Sequence, residues 1–186
     1  NYSIISDYCI GADGPVDSVL LLSDVPLSDI KEILLDYQSR TSVLLTRVLS
    51  KNFWKISPLF IQAEPEYENK IGSQVAGVVI GDRALMLKNK FKYCYDLSGE
   101  WKKFTQLPFV FATWTATKQP DKQFIQQFNE AIAEGMRMIP EIAKAECTEL
   151  LSKDDIIKYL TKSIDFNFDE KKKEALKLFL SYIADL

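Results

Sequence analysis

Strand-sized apolar runs alternate with helical periodicities along roughly the first two thirds of the chain, and the rest is helical throughout. A short apolar run has to be buried in a sheet. A helical segment between two such runs carries the chain back over one face of that sheet, so the alternation specifies parallel α/β structure. Residues 2–10 read as a strand, and Gly11-Ala12-Asp13-Gly14-Pro15 as a turn, because its glycines permit positive φ and its proline stops a ladder. Residues 16–23 form an apolar run of the kind found in buried strands, and Pro26-Leu27-Ser28-Asp29 opens a short helix. Further strands are predicted at 33–36, 59–62, 75–80 and 91–95. Leu44, Leu45, Val48 and Leu49 give residues 43–53 one apolar helical face. Gly81-Asp82-Arg83 starts a helical turn, residues 96–106 form a helix carrying Trp101, and the apolar run 107–117 is broken only by Pro108.

From Asp121 onward the pattern is helical. Phe124, Phe128, Ala131, Ile132 and Gly135 share one face, and Pro140 suits a first turn. Ser152 with Asp155, and Asn167 with Glu170, carry the spacing of helix starts. Lys171-Lys172-Lys173 reads as a solvated helix face. A helical tail alone has no sheet to cover, so it marks a second structural unit with a break between Thr113 and Pro120.

Composition narrows the chemistry. Hydrophobic residues make up 47% of the 186 and charged residues 26%, enough for a sizeable core. There is no histidine, which excludes Ser-His-Asp and Cys-His catalysis and histidine-based metal sites. A net charge of −3 gives no pull towards nucleic acid or anionic membrane, and no apolar run is long enough to span a bilayer. Cys9, Cys94 and Cys147 stand far apart with no CxxC pair, and are expected to be small buried hydrophobes in a reducing compartment. No GxGxxG, Walker A loop or acidic calcium loop is present, and Trp54 and Trp101 lie in no basic aromatic stripe. The chain opens at Asn1 already in strand-like sequence, and is expected to have been cut or processed there.

Four segments could carry chemistry, and each has a plain structural alternative. Ser39-Arg40-Thr41-Ser42-Val43 places hydroxyls and a guanidinium at the start of an apolar helix. Free N–H groups and the helix dipole make such a start a carboxylate or phosphate site, or simply an N-cap. Asp13-Gly14-Pro15-Val16-Asp17-Ser18 could place the Ser18 hydroxyl at a cleft edge, or could be a tight turn. Ile80-Gly81-Asp82-Arg83-Ala84-Leu85 follows a buried strand, where open α/β sheets contact ligands; otherwise it is a glycine turn with an Asp82–Arg83 surface pair. In Leu107-Pro108-Phe109-Val110-Phe111-Ala112-Thr113-Trp114, Phe109 and Phe111 share one strand face and could line an apolar cleft or pack in the core.

Taken together the chain resembles the chorismate dehydratase family of the futalosine route to menaquinone. The resemblance rests on those segments in order, with Asp7-Tyr8-Cys9-Ile10-Gly11, Asp96-Leu97 with Trp101, Tyr159-Leu160-Thr161 and Ile164-Asp165-Phe166. It implies a two-lobed α/β fold of the type II periplasmic-binding-protein kind, with one lobe complete and the other lacking its N-terminal part. Residues 1–17 would end the first lobe and cross over, 18–113 would form the second lobe around a mixed, mostly parallel sheet, and 114–186 would return to the first. The crossings would lie within 16–23 and 109–114.

The implied reaction is dehydration of chorismate, a dicarboxylate, to 3-[(1-carboxyvinyl)oxy]benzoate in the cytoplasm, with no metal or cofactor and no nucleic-acid or membrane partner. Ser18 would act beside the reacting ring. Ser39, Arg40, Thr41 and Ser42 would hold a carboxylate, and Gly81, Asp82, Phe109 and Phe111 would shape the pocket. A carboxylate solute-binding protein of an uptake system, the sister dihydroxynaphthoate synthase and an inactive ligand-binding remnant are the alternatives. Oligomeric state is open.

Overall fold

All five residues of Val19–Ser23 are buried, and a strand shielded on both faces belongs inside a sheet. In the computed structural model, which describes residues 2–148 and 151–186, this strand (β2) sits between two others in a five-stranded sheet. The other members are β3 (Glu32–Leu35), β4 (Leu59–Gln62), β5 (Val75–Ile80) and β6 (Tyr93–Asp96), in the order β4-β3-β5-β2-β6. β3 runs parallel to β4 and β5, while β2 runs antiparallel to β5 and β6. The sheet is therefore mixed, as expected, but its parallel and antiparallel pairings are balanced rather than mostly parallel. Helices α1 (Arg40–Leu49, continued by a π-helical turn Ser50–Trp54) and α2 (Gly81–Leu87) connect its strands, and α3 (Leu97–Thr105) leads from β6 to a second sheet.

A second, antiparallel sheet has the order β7-β1-β8, from β7 (Phe109–Ala116), β1 (Ser3–Ala12) and β8 (Asp165–Asn167). The connection between the sheets differs from expectation. Residues 16–23 do not cross; β1 and β7 pair with each other, and β2 lies wholly in the larger sheet. The physical reason lies in burial. β1 carries exposed residues among covered ones and lies between β7 and β8, whereas β2 has no exposed residue and lies between β5 and β6.

The tail comprises α4 (Lys122–Arg137), α5 (Ile139–Glu146), α6 (Lys153–Lys158, continued by a π-helical turn Tyr159–Ser163) and α7 (Glu170–Ala184). It is not purely helical, because β8 pairs with β1, Tyr8 opposite Asn167 and Gly11 opposite Asp165. Asn167 is thus a strand residue, and α7 is capped by Asp169, whose carboxylate accepts the Lys172 N–H at 2.9 Å. Ser152 and Asp155 do form a reciprocal capping box. The predicted strand character of Asn1 and helical character of residues 149 and 150 lie outside the described residues.

Two further expectations are corrected. Cys9 is buried, but Cys94 and Cys147 are exposed. Lys172 is only 1% exposed, with its ammonium paired to Asp165 and Asp169. A lysine can be buried in this way only because two carboxylates meet it at the sheet.

Trp101 holds the main core together. Its ring meets Phe104, Phe109, Phe179 and Tyr182 edge-on, and its Nε1–H donates to the Pro108 carbonyl at 2.9 Å. It thereby ties α3, β7 and α7 together. Trp101→Ala is expected to lower the unfolding free energy by about 3–5 kcal/mol in urea titrations. A loss under about 1 kcal/mol would show that these elements are held by other contacts.

Candidate active site

The parallel strands β3 and β5 end at Leu35 and Ile80, and β2 begins opposite that end, with Val19 paired to Ile80. β6 finishes there too, with Asp96 opposite Leu20. Ser18, Asp36, Gly81 and Asp96 are therefore gathered at one end of the sheet, where α1, α2 and α3 start. Open α/β sheets bind ligands outside the carboxyl ends of their strands.

Ser18 is 4% exposed. Its carbonyl accepts the Gly81 N–H at 2.7 Å, and its hydroxyl lies 2.7 Å from the Tyr159 hydroxyl. The loop before it is fastened by Asp96. One Asp96 oxygen accepts the N–H groups of Val16 and Asp17 at 2.9 and 2.7 Å, and the other accepts Gly99 N–H at 2.9 Å. Burial raises the Asp96 pKa above the ordinary carboxylate value, and the three N–H donors oppose that rise.

At the start of α1, Ser39 Oγ accepts the Ser42 N–H at 3.1 Å and donates to Ser42 Oγ at 2.8 Å. These two hydroxyls serve as a cap, and Ser42 is buried. Arg40 and Thr41 instead line a cavity of about 400 Å³ with Phe111, Thr113 and Leu180. The first N–H groups of a helix have no acceptor within it, so those of Arg40 and Thr41 are the donors this segment can offer.

The structure separates Phe109 from the site. Its ring packs against Trp101, Phe111 and Phe179 at 5.5, 4.8 and 4.9 Å, and it is buried in the core. Of the expected aromatic pair only Phe111 lines the cavity; at Phe109 the same strand face is in the core. Gly81 has φ of 64°, and nothing lies within 4 Å of where its Cβ would stand. The position needs glycine for conformation and opens onto free space. Asp82 is exposed beside it.

Arg83 does not pair with Asp82. Its guanidinium turns back to Asp36 at 2.6 Å, to Gln38 Oε1 at 2.8 Å and to Glu68. Asp36, whose side chain has no exposure, also accepts the Gln38 N–H at 2.7 Å and the Tyr67 hydroxyl at 2.9 Å. Burial and the Asp36 carboxylate drive the Tyr67 phenol well above its usual pKa. This network sets the loop that delivers Ser39 to α1 and bonds it to the start of α2. Sequence reasoning missed Asp36, Tyr67, Asp96 and Tyr159 as site-shaping residues. For Asp36 and Asp96 a signal existed: Asp96 closes a strand immediately before a helix, and Asp36 directly follows a strand in the loop that leads to one.

These features define a mixed α/β protein whose candidate ligand site lies at the carboxyl ends of its parallel strands. The chain belongs to the menaquinone biosynthesis family, whose model matches residues 1–185. It is 29% identical to the chorismate dehydratase of Thermus thermophilus over 95% of its own length and 71% of that protein. It is 34% identical to the chorismate dehydratase of Campylobacter jejuni over 60% of its length and 50% of that protein. A crystal structure of a protein from Archaeoglobus fulgidus matches 99% of this chain and 72% of its own, with a TM-score of 0.68 at 16% identity, which shows the same fold. Among the described residues no helix is long and apolar enough to cross a membrane, and no cluster of acidic residues or cysteines is arranged to hold a metal ion.

The Asp36–Arg83 pair should behave as a coupled unit. In a double-mutant cycle of Asp36→Asn and Arg83→Met, chemical denaturation is expected to give a coupling energy of about 1–3 kcal/mol. Additive losses would mean that the two loops are held independently.

Proposed function

We propose that this protein is a chorismate dehydratase acting in menaquinone biosynthesis. The observation that carries the reading is the gathering of Ser18, Gly81, Asp82 and the start of α1 at one sheet end, in a chain of this family. Its named relatives supply the substrate: both are chorismate dehydratases.

The finer architecture belongs to the same proposal. The larger sheet is the core of one lobe, residues 18–113, and the smaller sheet belongs to the other, with residues 1–17 and 114–186 contributing to it. β1 and β7 are the adjacent crossing strands, and the pairing of Ala12 with Phe109 supports this. Substrate would lie between the lobes. A cytoplasmic location fits a biosynthetic enzyme.

Chorismate loses the hydroxyl from one ring carbon and the proton from the neighbouring carbon that carries the enolpyruvyl ether. The ring becomes aromatic, and that supplies the driving force. The chain has no histidine to take the proton, and the substrate's own enolpyruvyl carboxylate is within reach of it. The protein's task is then to hold two carboxylates and exclude water. The free N–H groups of Arg40 and Thr41, with the Thr41 hydroxyl, receive one carboxylate. Ser39 and Ser42 shape that helix start from behind. Phe111 presents an apolar wall, Gly81 lets the ring approach the backbone, and Ser18 hydrogen-bonds the departing hydroxyl.

The protein made from its whole coding sequence should convert chorismate to 3-[(1-carboxyvinyl)oxy]benzoate, followed by chromatography, at the same rate with and without chelator. Thr41→Ala should weaken substrate binding by about 1.5–3 kcal/mol, the cost of losing a hydrogen bond to a charged group. Ser18→Ala should lower kcat more than it raises KM. Tight binding of chorismate with no turnover would identify a binding protein instead, and unchanged kcat/KM for Thr41→Ala would remove the Thr41 hydroxyl from the site.

A further inference from the structure

Ser18 is held by two partners that the sequence places far apart. Its carbonyl is fixed by the Gly81 N–H, and its hydroxyl by Tyr159, 141 residues further along the chain. Tyr159 opens the π-helical turn after α6, and its carbonyl accepts the Ile164 N–H at 3.0 Å, where the chain leaves for β8. Its ring is half-buried against the main core. The phenol edge meets a cavity of about 220 Å³ that Asp17, Lys88 and Lys158 also line. π-Helical turns are uncommon and gather at functional sites.

A serine hydroxyl has one proton and two acceptor lone pairs. Which way the bond to Tyr159 runs therefore decides what Ser18 can offer a ligand. A phenol is the stronger acid and the better donor of the two. Burial raises the Tyr159 pKa, the Ser18 hydroxyl opposes that, and Asp82 and Asp17 add to the rise, so the phenol keeps its proton near neutrality. Tyr159 donating to Ser18 Oγ leaves the serine proton free.

We propose that Tyr159 is a positioning residue for the dehydration: its O–H donates to Ser18 Oγ and thereby turns the Ser18 O–H towards the substrate's departing hydroxyl. This rests on the chorismate dehydratase reading and adds a residue to it. Ser18 keeps its own proton throughout. The ring C–H bond breaks towards the substrate's carboxylate, the C–O bond breaks with its electron pair on oxygen, and the departing hydroxide collects the proton held by that carboxylate. Water and the aromatic product then balance the reactant. Without the phenol, the Ser18 hydroxyl rotates freely and spends its proton on other acceptors.

The test is steady-state kinetics of Ser18→Ala, Tyr159→Phe and the double variant beside the parent protein, with thermal melts of each. Tyr159→Phe removes one oxygen and keeps the ring. It is expected to lower kcat about tenfold with KM little changed, and the double variant should be no slower than Ser18→Ala alone. Parental kcat for Tyr159→Phe, or losses that multiply in the double variant, would overturn the inference while leaving the dehydratase reading intact. Where Tyr159→Phe melts early, the Ser18→Ala background still decides, because a folding defect multiplies through both backgrounds and the loss of this one bond does not. A parent protein that leaves chorismate unchanged would overturn the reading of function and this inference together.

Discussion

Residues 3–12 and 109–116 pair as an antiparallel ladder, from Ser3 opposite Ala116 to Ala12 opposite Phe109, and everything between them is a closed excursion from that ladder. The excursion leaves through the loop at 13–18 and returns through α3 and Pro108, so its two ends must be neighbours. Closing so long a loop has an entropic cost, although that cost grows only slowly with length. Trp101 and Phe109 offset it at the point of return by burying large rings against Phe179 of α7. The same closure brings Ser18 to the mouth of the larger sheet, since Ser18 is the residue that completes the exit loop.

Buried charge is concentrated where segments with different roles must be held in register. Asp36 joins the loop before α1 to Arg83 of α2 and to Tyr67, while Asp96 fastens the exit loop through three backbone N–H groups. Lys172 plays the equivalent part in the smaller sheet, where its stem passes over Gly11 and its ammonium meets Asp165 and Asp169. A side chain at Gly11 would come within 2.9 Å of the Phe109 carbonyl and 3.1 Å of that lysine. Groups of this kind add little net stability, yet removing one partner strands the other. Their value is in fixing which loop sits where.

Much of this was legible in the sequence. The strands at 33–36, 59–62 and 75–80 and the Ser152 capping box appear within a residue or so of expectation, and the helix carrying Leu45 and Val48 begins three residues earlier, at Arg40, because apolar periodicity and local caps are properties of short segments. Strand direction was not legible. Nothing in Val19–Ser23 distinguishes a parallel central strand from an antiparallel one, since both are buried on two faces. The short β8 was hidden because its three residues owe their extended form to pairing with β1, not to their own propensity. At the site, the positions of Ser18 and Gly81 followed from strand ends. The partners of Ser18 and Arg83 did not, because those bonds join residues whose proximity only the folded topology decides. Phe109 and Phe111 show the same limit: both point to one side of β7, but that side passes from core to cavity between them.

The separation of Ser18 from Tyr159 by 141 residues also has a consequence in time. A ribosome adding about 5–20 residues each second produces the whole larger sheet several seconds before Tyr159 emerges, long enough for a domain of this size to fold. The strands around Ser18 are thus made before the residue that guides its hydroxyl. Completion of the site becomes a late event of synthesis, because Tyr159 and the Phe179 ring that packs on Trp101 are both made after the larger sheet.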